Sequence, residues 1–136
     1  MFIDSNIFLE IVLDDKNSKR CEEFLNKLEN KKTYASDFVL YTCILKIQNK
    51  LKSLSAIRKF IISFSELNLC ILKPTIDDIY NSIDISEKEK LDFDDALVVS
   101  CMKNNNIKEL VSYDKHFDKV ESIKRTAKEP VDPKIV

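Results

Sequence analysis

The 136-residue chain contains no glycine and a single histidine, and both shortages exclude whole classes of enzyme. Phosphate-binding P-loops, dinucleotide-binding turns and the nucleophile elbow of serine hydrolases all need glycine at fixed positions. His116 alone cannot supply the paired histidines of a zinc protease or of a histidine-pair ribonuclease. Carboxylates remain plentiful, with 23 Asp and Glu residues, and they are the ligands that Mg²⁺ and Mn²⁺ prefer.

Long apolar runs and a strong net charge are also missing. No segment approaches the roughly eighteen apolar residues of a membrane span, and the first apolar segment contains Asp4 and Glu10. We therefore expect no export signal and no membrane segment. Lys and Arg number 22 against 23 acids, so nucleic acid binding would need a local basic patch or a bound metal. With 44% hydrophobic and 33% charged residues, the composition is that of one globular domain.

The four cysteines, at positions 21, 43, 70 and 101, stand far apart and form no C-x-x-C pair. Zinc clusters usually need such close ligand pairs. Because each cysteine lies within an apolar segment, we interpret all four as buried, reduced thiols of a cytoplasmic protein.

The periodicity of the apolar residues predicts short strands that alternate with helices. The strand candidates are residues 2–3, 33–35, 69–72 and 110–113. Among them, 69–72 is a continuous apolar run, which is typical of a fully buried strand. Apolar residues recur at helical spacing in the segments 21–28, 38–51, 57–64 and 76–83. Segment 95–102 is apolar on nearly all sides, so we expect a central helix in an α/β sandwich on a mostly parallel sheet.

Acidic residues stand where these elements begin and end. Asp4 follows the first strand candidate, Asp114 follows the last, and Asp94 and Asp95 open the central helix. Ligands of parallel α/β sheets bind beyond the carboxyl ends of the strands, and carboxylates gathered there destabilise the fold unless a cation neutralises them. Asp94 is expected to cap the helix, as is Asp92, and Asp4 or Asp114 alone is equally compatible with a turn. It is their co-occurrence with Asp95 that favours a metal site.

Three motifs, in this order and spacing, resemble the PIN domain family: F-I-D-S-N at residues 2–6, L-D-F-D-D-A-L at 91–97 and S-Y-D-K-H-F-D at 112–118. The resemblance implies a three-layer α/β/α fold with a central, mostly parallel sheet over residues 1–127, followed by a C-terminal tail at 128–136. It further implies an endoribonuclease that depends on Mg²⁺ or Mn²⁺. Short prokaryotic members of the family are toxins of VapC-like toxin–antitoxin pairs.

The resemblance also assigns site residues position by position. The catalytic and metal-binding acids correspond here to Asp4, Asp95 and Asp114, with Asp118 as a further acid beside the metal. The polar residues that orient a metal-bound water or a phosphate correspond to Asn6 and Ser112.

One position departs from the family pattern. The family has a Glu on the helix after the second strand, and Thr42 occupies that position here. A threonine offers one neutral oxygen, so we expect looser metal binding than in members with four acids. The alternative function is a degenerate PIN domain with weak or no nuclease activity, which binds RNA or protein. A response-regulator receiver also clusters acids, but the acid pair and late lysine that it needs are absent.

RNA is the substrate that the resemblance implies, and a cognate antitoxin is a further partner. Basic residues that are candidates for holding RNA are Lys46, Lys50, Lys52, Arg58 and Lys115. We interpret His116 as a turn or surface residue, because no nucleophile motif accompanies it. The segments 38–51 and 57–64 carry more apolar surface than one sheet face covers, which predicts a homodimer.

Overall fold

The computed structural model describes residues 1–28 and 30–126. Five strands form its sheet: β1 (Phe2–Ile3), β2 (Thr33–Ser36), β3 (Leu69–Leu72), β4 (Glu109–Val111) and β5 (Lys124–Arg125). Their order across the sheet is β3-β2-β1-β4-β5, and all the pairings are parallel. Helices flank this sheet, so the predicted α/β/α fold with a central parallel sheet is confirmed. The tail predicted at residues 128–136 lies outside the described residues.

Six α-helices and a short 3-10 helix connect the strands in the part of the chain that is described. They are α1 (Ser5–Val12), α2 (Ser18–Asn26), α3 (Asp37–Leu51), α4 (Leu54–Glu66), α5 (Ile76–Glu89), α6 (Phe93–Asn104) and the 3-10 helix Lys115–Lys119. Ser36 and Ser53 start α3 and α4 by accepting hydrogen bonds from backbone N–H groups of the first turn. Within residues 1–28 and 30–126, no helix combines the length and apolar character that crossing a membrane requires.

The core lies around β1 and α6. Phe2 and Ile3 of the central strand are fully buried, and every residue of α6 from Ala96 to Met102 is buried. The central position predicted for segment 95–102 is therefore confirmed. Of the two residues predicted to cap this helix, Asp92 occupies the N-cap position, whereas Asp94 lies in the first turn, because α6 begins at Phe93.

The prediction that residues 69–72 form a fully buried strand is wrong. β3 pairs only with β2 and lies at the edge of the sheet, where Cys70 and Ile71 are exposed. A continuous apolar run shows that a strand has two apolar faces, but not that other elements cover both of them. Three of the four free cysteines are buried, as expected, and Cys70 is the exception.

Helix α5 turns its polar side toward the protein. Asp78 and Ser82 are buried, and the backbone carbonyl of Asp78 accepts a hydrogen bond from Ser100 of α6 at 2.8 Å. The Asp78 carboxylate accepts another from the side-chain amide of Asn104. Four apolar residues of α5 are instead exposed, namely Ile76 (80%), Tyr80 (73%), Ile83 (56%) and Ile79 (38%), whereas Ile85 packs against the core. This stripe is a surface of the kind that usually contacts another protein.

Candidate metal centre

Parallel pairing of β1 with β4 brings the first site residues together. Ile3 is in register with Val111, so Asp4 and Ser112 follow side by side at the carboxyl ends of the two strands. Asp4 is only 7% exposed, and its Oδ2 accepts a hydrogen bond from the Ser112 hydroxyl at 2.7 Å. The backbone N–H of Ser5 donates to Oδ1 at 2.7 Å, which makes Asp4 the N-cap of α1. A buried carboxylate is thus fixed where the two strands end.

Asn6 connects this carboxylate to the chain beyond β4. Its Nδ2 donates to the Ser112 hydroxyl at 2.9 Å and to Asp4 Oδ2 at 3.3 Å. Its Oδ1 accepts a hydrogen bond from the backbone N–H of Tyr113 at 3.2 Å. The Ser112 hydroxyl in turn accepts from the backbone N–H of Asp114 at 3.0 Å. The structure therefore places Asn6 and Ser112, both predicted as supporting residues, in direct contact with Asp4.

Asp95, Asp114 and His116 form the compact part of the site. Each offers one ligand atom, and these three atoms lie within 4.8 Å of one another. Asp95 is in the first turn of α6, and Asp114 is the N-cap of the 3-10 helix. Asp114 Oδ1 accepts a hydrogen bond from the His116 backbone N–H at 2.9 Å and lies 2.7 Å from the ring Nδ1. Sequence reasoning did not place His116 at the site; its position two residues after Asp114 was the available signal.

The pKa values of the acids show that negative charge is concentrated here. Burial and the charges of Asp94, Asp114 and Asp4 raise the pKa of Asp95 to about 7, against a smaller opposing effect of His116. Burial also raises the pKa of Asp4, although the hydrogen bonds from Ser112 and Ser5 oppose this, and the charge of Asp114 raises it further. The three predicted acids therefore lie within electrostatic range of one another.

Helix α3 carries Thr42, the residue at the position that the resemblance assigns to the family's Glu. The Cys43 thiol lies 3.7 Å from the Ser5 carbonyl oxygen, and burial together with the charge of Asp4 raises its pKa to about 12. Lys46 has the opposite effect and lowers the pKa of both Cys43 and Asp4. Thr42 is half-buried and lies one helical turn before Lys46, so both side chains leave α3 on the same side. Lys46, on this side of α3, lies within electrostatic range of Asp4.

Asp118 does not belong to the group formed by Asp95, Asp114 and His116. Its two carboxylate oxygens accept hydrogen bonds from Nε and Nη2 of Arg125 at 2.7 and 2.8 Å. Arg125 lies in β5 and is 7% exposed, and its Nη1 donates to the Ser112 backbone carbonyl at 3.1 Å. Arg125 thus supports the strand end that carries Ser112. No sequence motif pointed to it, because its role depends on where β5 lies in the sheet.

The donor set fits a divalent cation. Two half-buried carboxylates and an imidazole converge, and burial together with the charges of Asp94, Asp114 and Asp4 raises the pKa of Asp95. A carboxylate can accept about four hydrogen bonds, and Asp4 accepts three from Ser5, Ser112 and Asn6. One acceptor position of Asp4 therefore remains for an ion or for a water bound to it.

Three solved structures resemble this fold over most of their length. VapC20 from Mycobacterium tuberculosis, a toxin that cleaves the sarcin–ricin loop, has a TM-score of 0.74 and 14% identity, with 88% of this chain and 94% of that chain covered. VapBC2 from Rickettsia felis, bound to a DNA fragment from its promoter, has a TM-score of 0.70 and 17% identity, covering 90% and 93%. A toxin–antitoxin complex from Klebsiella pneumoniae has a TM-score of 0.68 and 13% identity, covering 90% and 94%.

At such low sequence identities, these structural similarities show a common fold and nothing more. Comparison with curated protein sequences gives no significant match. A family model of the PIN domain matches residues 1–123, which is most of the chain. The chain therefore belongs to the PIN domain family.

Proposed function

We propose that this protein is a metal-dependent endoribonuclease and the toxin of a toxin–antitoxin pair. The observation that carries the proposal is the group of Asp95, Asp114 and His116 ligand atoms within 4.8 Å, beside the buried Asp4, in a member of the PIN domain family. The similarity to VapC20, a toxin that cleaves RNA at the sarcin–ricin loop, supports an RNA substrate. The cofactor would be Mg²⁺ or Mn²⁺, because carboxylates dominate the donor set.

Asp95 and Asp114 would hold the metal directly, and Asp4 would contribute its remaining acceptor position. When bound, the ion supplies a water of lowered pKa and positive charge beside the phosphate oxygens. The protein supplies a rigid arrangement: Asn6 and Ser112 hold the Asp4 carboxylate in one orientation through hydrogen bonds of 3.3 and 2.7 Å. Groups that are fixed in advance need little rearrangement during the reaction, which is the main way in which a protein stabilises developing charge.

Lys46 is the basic residue best placed to bind a phosphate of the RNA. Its charge lowers the pKa of Asp4, so it lies within electrostatic range of the acids. Together with Lys50, Asn49 and Asn6 it lines a cavity of about 460 Å³ between α1 and α3. Because Asn6 belongs both to this cavity and to the acid site, an RNA strand could enter the cavity with one phosphate beside the metal.

RNA cleavage with matched variants tests this proposal. Single-stranded RNA should be cut by the wild type with Mn²⁺ or Mg²⁺ and left intact with EDTA, and Asp114→Asn should lower the rate by at least about a hundredfold. Asp77→Asn removes an exposed carboxylate of α5 outside the acid group and should leave the rate unchanged. Metal binding without cleavage would favour the alternative of a degenerate domain that binds RNA or protein. Failure to bind either metal would contradict the proposed function.

A cognate antitoxin is the proposed protein partner, as in the toxin–antitoxin structures that share this fold. A cavity of about 610 Å³ opens between α1, α2 and α4, with the apolar residues Ile11, Val12 and Leu67 and the polar residues Glu22 and Ser63 in its lining. An apolar helix of a partner could fill such a cavity. We further propose that the protein acts in the cytoplasm, where its four cysteines would stay free thiols.

The proposed homodimer would use exposed apolar residues of the predicted helices α3 and α4, together with those of α5. Phe60 and Phe64 of α4 are buried in the core, but Ile61 and Ile62 of α4 are exposed, as are Tyr41 of α3 and Tyr80 and Ile83 of α5. Light scattering at high micromolar concentration should give the mass of a dimer. Substituting Tyr80→Lys together with Ile83→Lys should shift it toward the monomer, because desolvating a lysine at an interface is costly. A wild type that stays monomeric without a partner would contradict the prediction.

A further inference from the structure

We propose that His116 is a direct ligand of the metal, and that this imidazole makes the centre prefer Mn²⁺ over Mg²⁺. The inference rests on the proposed function, because it needs a metal at the acid group. It adds a residue that the resemblance to the family did not supply. It also predicts which of Mg²⁺ and Mn²⁺ the site binds more tightly.

The position of the ring is the first support. The backbone N–H of His116 and its ring Nδ1 both approach Asp114 Oδ1, at 2.9 and 2.7 Å, so the imidazole is anchored beside a metal-binding acid. In a neutral ring whose Nδ1–H donates to Asp114 Oδ1, the nitrogen that can bind a metal is Nε2. One ligand atom each from Asp95, Asp114 and His116 lies within 4.8 Å of the other two. One ion can therefore span all three side chains.

The chemical character of the ring is the second support. Only one nitrogen of a neutral imidazole carries a proton, so the other keeps a lone pair that a metal can accept. The His116 side chain is 72% exposed, which leaves it accessible to an ion entering from solvent. The ring thus meets the carboxylates of Asp95 and Asp114 on a side that solvent can reach.

The balance of charge is the third support. Asp94, Asp95 and Asp114 are carboxylates around one site beside the buried Asp4, and like charges so close together repel one another. A further anionic ligand would add to this repulsion in the metal-free protein, whereas a neutral imidazole adds a donor without adding charge. With Thr42 at the position of the family's Glu, His116 restores the number of strong donors in a neutral form.

The preference for Mn²⁺ follows from the nature of this donor. Mg²⁺ selects oxygen ligands and keeps most of its waters, whereas imidazole suits transition metals. Replacing the ring by an amide removes the nitrogen donor and retains a short polar side chain. His116→Asn should therefore raise the dissociation constant of Mn²⁺ about tenfold, since one good ligand is lost, and change that of Mg²⁺ by less than about threefold.

Pulsed electron paramagnetic resonance of bound Mn²⁺ tests the inference directly. His116 is the only histidine of the chain, so any imidazole-nitrogen coupling has one possible source when the protein carries no polyhistidine tag. We expect this coupling in the wild type and in the matched control Lys119→Asn, and its loss in His116→Asn. Calorimetric titration of the same proteins with Mn²⁺ and Mg²⁺ supplies the affinities.

The possible outcomes separate the two proposals. If Mn²⁺ binds and Asp95→Asn prevents binding, but the wild type shows no imidazole coupling, His116 is not a ligand and the proposed function still stands. A looser Mn²⁺ site in His116→Asn without wild-type coupling would mean that the ring only positions Asp114, which also overturns the inference. If neither metal binds to the wild type, both proposals are wrong.

Discussion

Asp95→Asn should have opposite effects on stability with and without metal. In EDTA at about pH 8 the variant should be more stable than the wild type by about 1 to 2 kcal/mol, a value that allows for the solvent screening of a partly exposed group. Its melting temperature should accordingly rise by about 3 to 8 °C. With Mn²⁺ at a hundredfold excess over its dissociation constant, the wild type should gain about 2.7 kcal/mol and the variant almost nothing.

The effect without metal depends on pH in a defined direction. The pKa of Asp95 is raised from 3.8 to about 7 in the folded protein, so folding favours its protonated form. Well below pH 3.8 the group is protonated in both states, and it does not then reduce stability. As the pH rises toward 7, the unfolded chain ionises first and the stability of the wild type falls. The difference between Asp95→Asn and the wild type should therefore nearly vanish at about pH 3 and be complete by about pH 8.

Thermal denaturation with EDTA and with Mn²⁺, at both pH values, measures the two effects. Asp92→Asn is the matched control: it removes the same charge from an exposed residue at the start of α6, and Asp92 does not contribute to the raised pKa of Asp95. An equal response to Mn²⁺ in the wild type and in Asp95→Asn would show that Asp95 does not hold the metal. A variant that is less stable than the wild type in EDTA at pH 8 would contradict the electrostatic explanation.

Thr42→Glu should tighten Mn²⁺ binding about tenfold, which is about 1.4 kcal/mol. The substitution adds a carboxylate on the side of α3 from which Lys46 reaches the acids electrostatically, and Coulomb attraction to a divalent ion increases with each anionic ligand. The same charge adds repulsion when no metal is bound, so the melting temperature in EDTA should fall slightly. Cleavage of single-stranded RNA should rise with metal occupancy.

Calorimetric titration of the wild type and Thr42→Glu decides this prediction. Gln48→Glu adds a carboxylate of the same size at an exposed position of α3 and serves as the control for long-range attraction. A tenfold gain in Thr42→Glu alone places residue 42 at the metal. Unchanged affinity would mean that Thr42 does not face the acids, and that the correspondence between this helix and that of the family is shifted.

The parallel sheet and the positions of the acids at its strand ends could be predicted from the sequence, because both depend on local patterns. Short apolar segments ended by Asp4 and Asp114 are enough to place two carboxylates at strand ends, once the strands are parallel neighbours. The orientation of α5 could not be predicted in this way. Its apolar stripe indicates a helix, but the buried contacts of Asp78 with α6 decide which side faces the protein. Such polar contacts between distant residues leave no periodic signal.

His116 and Arg125 show the same limit within the site. His116 follows Asp114 by two residues, and only the 3-10 turn brings its ring back to the carboxylate. Arg125 reaches Ser112 because β5 pairs with β4, and a two-residue strand has too little pattern to be recognised with its partner. Residues whose roles arise from a turn or from the order of strands need the structure to be found.

The hydrogen bond from Ser112 to Asp4 joins residues that are 108 positions apart. Arg125, in the last described strand, supports this end of β4 by donating a hydrogen bond to the Ser112 backbone carbonyl. During synthesis, β1, β2 and β3 leave the ribosome long before β4 and β5 are available to complete the sheet. A nascent or truncated chain that lacks residues 109–125 has Asp4 but neither Asp114 nor the hydroxyl that orients the Asp4 carboxylate. The proposed metal site can therefore form only after β4 and β5 have been synthesised, and a chain that stops before residue 109 would lack it.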